Sequence, residues 1–389
     1  MPRLILLTPG ELTRDPRARR AAHAGLADGW EVVGVCPATG GSPAPLDGIR
    51  VVRLRGGALN SRLRDAGLGG GRPDNPLMRE LRGIYRLVRL ARLTTGLLRA
   101  GRRFENADVV HANDFDTLPA ARLLARAFNA RLVYDAHELY TMQEADPPRL
   151  YVAAVRRLER MLARRADAVV TVSEPIAREL QRLLGLARTP LVVLNCPARS
   201  ETIGRSAVGR PLRAVYQGAV GLGRSLDDLL DAAAVADGVE LTLRVIGADL
   251  DSLRSQVAAR GLESRVRVRE PVEPADLVDA LWEFDVGVIA TRPLSRNDEL
   301  AVPNKLFEYL MAGLAVVVPR LAGIAEIVEH EDVGVMFEPG SPTSLGQALA
   351  ELGSSPDRVA RSQERARSLA LGRFNAEAQR PVLLEAWTG

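Results

Sequence analysis

Short hydrophobic runs alternate along the chain with longer amphipathic segments. Runs that are hydrophobic throughout are typical of parallel strands buried on both faces, and the amphipathic segments are typical of the helices that cover them. The first series of predicted strands is 3–8, 30–36, 49–54, 108–112, 131–134, 168–172 and 191–195. The second is 212–217, 240–246, 266–269, 286–290, 315–319 and 333–337. This pattern predicts an α/β protein with two doubly wound domains.

Two stretches interrupt this alternation. Residues 197–211 lie between the two series, are polar and contain Gly204 and Gly209, which predicts a hinge. Residues 56–76 include three consecutive glycines, Gly69 to Gly71, and predict a long loop. Loops of this length inside a compact domain are often functional.

Length and composition agree with two soluble domains. The chain has 389 residues, of which 47% are hydrophobic and 26% are charged. We find neither an apolar run long enough to span a bilayer nor a signal peptide, so we expect a cytoplasmic protein. Cys36 and Cys196 lie in strand-like runs and are expected in the core. The four histidines are scattered, so no metal site is expected.

The basic residues are almost all arginine. Of 52 basic residues, only Lys305 is a lysine. Codon bias explains a preference for arginine, but it does not explain the exception. A compact, rotatable ammonium suits some binding tasks better than a planar guanidinium does, which makes Lys305 a candidate functional residue.

Two predicted helices, 79–103 and 149–165, concentrate positive charge. Arg82, Arg86 and Arg89 are spaced by four and three residues and therefore share one helix face. A solvated surface explains this pattern, and peripheral contact with an anionic membrane is the alternative. Binding to nucleic acid is not expected, because only 4% of the residues are aromatic and no known module is present.

A ligand of such a fold binds beyond the carboxyl ends of the strands, so we expect the site in the cleft between the two domains. The turn after the first strand, Thr8 to Leu12, lacks the Gly-x-Gly-x-x-Gly sequence of dinucleotide-binding proteins. A Walker loop is also missing from the sequence. Redox cofactors and nucleotide hydrolysis by that loop therefore lose support.

Residues 298–313 form the most informative segment. Pro303 fits the first turn of a helix and Gly313 fits its C-terminal end. The start of a helix presents N–H groups and a positive dipole end, which suit a phosphate. Lys305 falls in that first turn, and Glu308 lies on nearly the same face, where its oxygens could hold a ribose diol. The alternative is a surface ion pair between these two residues.

Residues 303–313, PNKLFEYLMAG, resemble the nucleotide-sugar motif of retaining glycosyltransferases of family 4. Four further segments agree in the same order: DPRARR at 15–20, VYDAHELY at 133–140, VSEP at 172–175 and YQG at 216–218. The resemblance implies the GT-B architecture, in which two Rossmann-like domains face each other across a cleft. It implies an acceptor-binding domain at 1–198, a nucleotide-sugar-binding domain at 199–372, and a C-terminal helix at 373–389 that returns to the first domain.

The resemblance also implies roles for individual residues. His137 faces the reacting sugar, and Arg224 stands where the family commonly has a phosphate-contacting lysine, so that the charge is kept. The catalytic set is His137, Arg224 and Lys305. The donor-binding set is Gly218, Arg224, Glu299, Asn304, Lys305 and Glu308, with the base held near Val272. The acceptor-binding set is Glu11, Arg17 and Arg20.

The chain departs from the family at Leu300. The family often has two glutamates in an E-x7-E arrangement, of which Glu308 is the second, and Leu300 occupies the position of the first. This departure affects recognition of the donor sugar more than binding of the nucleotide. Glu299 is the candidate substitute.

The expected reaction is transfer of a sugar from a nucleoside-diphosphate sugar to a hydroxyl of a glycan, a lipid-linked intermediate or a small natural product. Retention of configuration follows from the resemblance, and neither a cofactor nor a metal is expected because Arg224 and Lys305 supply positive charge. Two alternatives remain. A nucleotide-sugar 2-epimerase shares the architecture, and Leu300 is compatible with an inactive homologue that serves as partner of an active transferase.

Overall fold

The computed structural model describes residues 1–38, 46–54, 76–144, 146–201, 207–220, 226–273 and 276–389. The chain forms two compact units. The first contains Met1–Val193 together with Arg380–Gly389, and the second contains Leu194–Gln379. The last ten residues therefore belong to the first unit.

The first unit contains a seven-stranded parallel sheet. The strand order is β3-β2-β1-β4-β5-β6-β7, so the chain reverses its direction of winding at β1. The strands are β1 Arg3–Leu7, β2 Glu31–Pro37, β3 Arg50–Leu54, β4 Val109–Asn113, β5 Arg131–Ala136, β6 Ala168–Thr171 and β7 Leu191–Val192.

In the described residues, six helices belong to or return to this unit. They are α1 Pro16–Ala27, α2 Pro76–Gly101, α3 Leu118–Phe128, α4 Arg149–Ala163, α5 Glu174–Leu184 and the last helix, α13 Ala376–Thr388. Local sequence sets where they begin: the carboxylate of Asp15 accepts hydrogen bonds from the first turn of α1, and Ser173 does the same for α5. Short 3-10 turns lie at Leu12–Arg14 and Tyr140–Met142.

The second unit contains a six-stranded parallel sheet in the order β10-β9-β8-β11-β12-β13. Its strands are β8 Leu212–Ala219, β9 Val239–Ile246, β10 Val266–Arg269, β11 Val286–Val288, β12 Ala315–Pro319 and β13 Gly334–Phe337. Its helices are α6 Leu226–Val235, α7 Leu250–Ala259, α8 Arg296–Leu300, α9 Asn304–Met311, α10 Ala322–Glu331, α11 Pro342–Gly353 and α12 Pro356–Gly372, with a 3-10 turn at Asp279–Leu281.

Strand β12 shows why the strands are hydrophobic throughout. Ala315 and Val317 contribute to one apolar cluster, whereas Val316 and Val318 contribute to another on the opposite face of the sheet. Successive side chains of a strand point to opposite faces, and here both faces are covered by helices. The predicted fold class, two doubly wound parallel sheets, is therefore confirmed.

Local details differ from the sequence-based expectations at several strand ends and at the start of α9; for example, β11 ends at Val288 rather than at residue 290. Strand β7 ends at Val192, before the predicted residue 195. Pro303 is the N-cap of α9, one residue before its first turn, because its backbone is extended (φ −72°, ψ 143°). Cys36 and Cys196 are buried free thiols, as predicted.

Three expectations concern residues outside the described ranges. The predicted loop at 56–76 lies outside them except for Pro76, and within the predicted hinge residues 202–206 lie outside them. Arg224 is also outside the described residues. Over the rest of the chain, we find no helix with both the length and the hydropathy needed to cross a bilayer.

Trp387 ties α13 to the first unit. Its indole packs edge-on against Trp30, with ring centroids 5.7 Å apart, and its Nε1–H donates to Nδ1 of His111 at 3.0 Å. Both Trp387 and His111 are buried. The helix is therefore held by aromatic packing and by a buried hydrogen bond.

We predict that Trp387→Ala lowers the free energy of unfolding of the first unit by about 3–5 kcal/mol, because it leaves a cavity. Trp387→Phe retains most of the packing but removes the donor to His111, which costs about 1–3 kcal/mol. Urea denaturation measures both. The neighbouring, exposed Thr388→Ala is the control, and equal stability of all three variants would contradict the anchoring role.

Candidate functional site

Acidic residues collect at the carboxyl ends of β4 and β5 in the first unit. Asn113, the last residue of β4, lies in register with Asp135 of β5, and Asp114 follows directly. The backbone N–H of Asp114 donates to the carbonyl of Asp135 at 2.9 Å, and Asp114 adopts a positive φ of 61°. Non-glycine residues seldom adopt this conformation, and they occur preferentially at functional sites.

Arg17 on α1 forms a buried ion pair with Asp135. Its Nε and Nη2 donate to the two carboxylate oxygens at 2.7 Å each, and its Nη1 donates to the carbonyl of Val193 at 2.7 Å. Arg17 is only 6% exposed. Burial raises the pKa of Asp135, but Arg17, His137 and His111 together outweigh this effect and hold that pKa well below its usual range. Arg17 thus faces the interior of the unit and positions Asp135.

His137 lies directly after β5, with an aspartate facing each of its ring nitrogens. Its Nδ1 is 3.2 Å from an oxygen of Asp114, and its Nε2 is 3.5 Å from an oxygen of Asp135. The Nε2 contact is at an ion-pair distance and is not a hydrogen bond, but two carboxylates that can only accept favour a ring that is protonated at both nitrogens. Burial lowers the pKa of His137, but the two carboxylates outweigh it and raise that pKa to about 10.

His111 on β4 completes the cluster in a different protonation state. Its Nδ1 accepts the hydrogen bond of Trp387, which places the ring proton on Nε2, 3.5 Å from Asp135. Burial lowers the pKa of His111. With His111 neutral, the two cations Arg17 and His137 balance the two aspartates.

Two predicted acceptor residues lie in the same unit. Glu11 is buried, and Arg53 of β3 donates to both of its carboxylate oxygens at 3.0–3.1 Å. Burial raises the pKa of Glu11, but the hydrogen bonds and charge of Arg53 lower it overall. Glu11 is therefore occupied by an internal partner, as Arg17 is. Arg20 is half-buried on α1.

In the second unit, Lys305 is held at the carboxyl end of β8. Its ammonium lies 4.5 Å from the centroid of the Tyr216 ring. A Cβ placed on Gly218 would lie only 2.7 Å from the Lys305 Nζ, and Gly218 has a φ of 145°. Only glycine combines this backbone conformation with such close approach of the ammonium. The structure thus brings together two of the predicted donor residues, Gly218 and Lys305.

Helix α9 supplies the other predicted residues. Asn304 is its exposed first residue, Lys305 follows it, and the half-buried Glu308 comes one turn later. Pro303 caps the helix without a side-chain hydrogen bond. Since the first turn of a helix presents N–H groups that its own carbonyls do not satisfy, this end suits an anion.

Leu300, where the chain departs from the E-x7-E pattern, lies in the interior of the second unit, and its neighbour Glu299 lies at the surface. Leu300 is a buried residue at the end of α8, and its carbonyl lies against Gly323 of α10. Glu299 is partly exposed and accepts a hydrogen bond from Arg296 at 2.5 Å. Leu300 therefore packs in the interior, and Glu299 has a surface partner on its own helix. Val272, predicted near the base, is half-buried after β10.

The structure adds residues that the sequence analysis did not select. They are Asp114, Asp135 and His111 in the first unit and Tyr216 and Gln217 in the second. Each lies in or directly after a buried strand, and the position of Asp114 and Asp135 at the carboxyl ends of their strands is the signal that could have identified these two. The side-chain amide of Gln217 is buried and has no hydrogen-bond partner among the described residues, which is unusual for a polar group.

Together these features define the class of the protein: each unit is a Rossmann-like sheet whose polar residues gather at the carboxyl ends of its strands. Family models agree with this class. The model Glycosyltransferase Family 4 matches residues 17–200, and the model Glycosyl transferases group 1 matches residues 208–355. The chain belongs to the group 1 glycosyltransferases of GT-B fold.

Individual proteins show the same likeness. The chain is 26% identical over 303 residues to a D-inositol 3-phosphate glycosyltransferase of Thermobispora bispora. The alignment covers 70% of this chain and 68% of that protein. Sucrose-phosphate synthase of Thermosynechococcus elongatus has a similar structure, with a TM-score of 0.75, 16% identity and coverage of 99% and 97%. So has Anabaena HepE, solved with UDP, with a TM-score of 0.69, 17% identity and coverage of 99% of both chains.

We predict that His137 remains an imidazolium at neutral pH. Nitrogen NMR of histidine-labelled protein should show loss of its ring proton only near pH 10. In Asp114→Asn, which removes one of the two carboxylates, this pKa should fall. A neutral His137 ring at pH 7.5 would contradict the prediction.

The pH dependence of the free energy of unfolding follows from the same raised pKa of His137. Because the pKa is raised in the folded state, the stabilisation by the two aspartates is complete below about pH 6.5 and is lost as the pH rises through about 10. Comparing wild type with His137→Gln by urea denaturation at several pH values should therefore show a difference that shrinks over this range.

Proposed function

We propose that the protein is a retaining glycosyltransferase that moves a sugar from a nucleoside-diphosphate sugar to a hydroxyl group. The observation that carries this proposal is the position of Lys305, whose ammonium lies against Gly218 and over Tyr216 in the first turn of α9. A fixed cation at a helix start is suited to a diphosphate. The family membership supports the reaction class.

The donor is proposed to carry uridine diphosphate. The structurally similar HepE was solved with UDP and with UDP-glucose, which supports this choice of nucleotide. We assign the ribose to Glu308, the diphosphate to Lys305, Arg224 and the N–H groups at Asn304, and the base to backbone groups near Val272. With Leu300 buried, the donor sugar is contacted by other groups, of which Glu299 is one candidate.

The proposed chemistry depends on stabilising the departing diphosphate. Negative charge grows on it as the sugar–phosphate bond weakens, and Lys305, Arg224 and the α9 dipole are proposed to stabilise that charge. Metal independence is proposed because these groups supply the positive charge. Retention follows from front-side attack, in which the leaving phosphate helps to deprotonate the acceptor hydroxyl.

The first unit is proposed to bind the acceptor, a glycan, a lipid-linked intermediate or a small natural product. Because Arg17 and Glu11 have internal partners, we assign them to positioning, and Arg20 remains the predicted cation for an anionic acceptor. His137 is proposed to act as a charged group near the reacting sugar.

We further propose a cytoplasmic protein that contacts an anionic membrane peripherally, supported by the arginines of α2 and α4.

A transfer assay with Lys305→Ala tests this function. We predict a loss of about 10²–10³ in turnover, the usual cost of removing one group that stabilises a leaving charge. Arg254→Ala, which removes an exposed cation of the same unit, should leave turnover unchanged. Near-normal turnover of Lys305→Ala would contradict the assignment.

Isomerised sugar formed without acceptor would indicate an epimerase instead, and absence of donor binding would indicate an inactive partner.

Gly218→Ala tests the geometry of the ammonium. The new Cβ would collide with Lys305 Nζ at 2.7 Å, so the ammonium must move, and we expect about tenfold weaker binding of UDP by calorimetry. Gly238→Ala is the matched control. Gly238 also has a positive φ, 73°, but a Cβ there meets no atom within 4 Å. Equal affinity of the two variants would show that the approach of Lys305 to Gly218 has no role in binding.

A further inference from the structure

Helix α2 carries an exposed apolar stripe. Leu77, Leu81, Ile84 and Val88 are 66%, 42%, 52% and 43% exposed. Their spacing of four, three and four residues places them on one face of the helix. Five of the twelve large hydrophobic residues exposed in the described part of the chain lie on α2, the fifth being Met78. Such a concentration is unusual for a solvated helix.

The opposite face of α2 explains why the stripe is exposed. Gly83 packs against Pro148 and Tyr151 at the start of α4, and Leu90 and Leu97 are buried. The carboxylate of Glu80 accepts hydrogen bonds from the backbone N–H groups of Arg149 and Leu150. These contacts fix the rotation of the helix, so the stripe is directed outward by the fold. Leu150, whose backbone N–H binds Glu80, has a side chain that is 67% exposed.

The charge of the helix is net positive. Helix α2 contains six arginines and one glutamate, and that glutamate is bound to the backbone of α4. Two of the arginines, Arg79 and Arg86, form ion pairs with Asp146 and Glu144. Arg92 and Arg99 are exposed and extend the outward face beyond Val88 toward the end of the helix. An apolar stripe bordered by arginines matches the interface of an anionic bilayer, where side chains insert among acyl chains and guanidinium groups meet phosphates. A protein partner would need the apolar face but would not need this charge.

We propose that Leu77, Leu81, Ile84 and Val88 insert into the surface of an anionic lipid bilayer, with Arg92 and Arg99 contacting its headgroup phosphates. This inference deepens the peripheral contact proposed above by naming the residues that enter the lipid. It concerns binding alone, and it holds whether or not the chain transfers sugar.

Vesicle sedimentation with the full chain, without substrates, tests the proposal. Wild type should bind vesicles of phosphatidylglycerol and phosphatidylcholine at low salt and should bind phosphatidylcholine alone weakly. The double variant Leu81→Ser/Ile84→Ser should partition at least about tenfold less. Arg92→Gln/Arg99→Gln should lose roughly fivefold for each arginine, and this loss should shrink at high salt.

Matched controls come from the second unit. Val235→Ser removes a 49% exposed apolar side chain, and Arg361→Gln removes an exposed charge, and both should bind as wild type does. Circular dichroism confirms that every variant is folded. Calorimetry with UDP should be unchanged in the α2 variants, which separates failure of docking from failure of the proposed function.

Three results would overturn the proposal. The first is no binding of wild type to the anionic vesicles at low salt. The second is unchanged binding of Leu81→Ser/Ile84→Ser, which would show purely electrostatic attraction. The third is a wild-type dimer in light scattering that the serine variant dissolves, which would assign the stripe to a second copy of the chain.

Discussion

The close approach of the Lys305 ammonium to the backbone of Gly218 is the constraint on which the account of the donor site depends. The charge lies over the Tyr216 ring at 4.5 Å, and a side chain at 218 would displace it. Two elements set this position: Gly218 is the penultimate residue of β8, and Lys305 lies in the first turn of α9. A cation held by neighbouring strand and helix ends does not need to reorganise when negative charge develops nearby.

In the first unit, Asp135 has the corresponding central position. It accepts two hydrogen bonds from Arg17 and lies 3.5 Å from a ring nitrogen of both His111 and His137. Removing its charge would leave Asp114 as the one aspartate of the cluster opposite the two cations Arg17 and His137, so the state of His137 depends on it. Trp387 of the last helix donates a hydrogen bond to His111, and His111 in turn contacts Asp135, so these contacts connect the cluster to the last helix.

The strands and the fold class could be predicted because a strand buried on both faces is hydrophobic at every position. The burial of the Arg17 side chain could not be predicted, because a basic residue at the start of an amphipathic helix is usually exposed. Only the tertiary structure shows that Asp135 lies within reach of its guanidinium. The packing of Leu300 could not be predicted either. The sequence shows only that this position departs from the family pattern, whereas the structure shows that Leu300 is buried. Lys305 was identified because it is the sole lysine.

That same uniqueness provides the most direct measurement. Reductive methylation with carbon-13 labels Lys305 and the N-terminal amine, so proton–carbon NMR reports on a single lysine. Adding UDP should shift the Lys305 methyl signal and raise the pKa of its amine, because the bound diphosphate stabilises the charged form. A Lys305 signal and pKa that stay unchanged at saturating UDP would contradict the account.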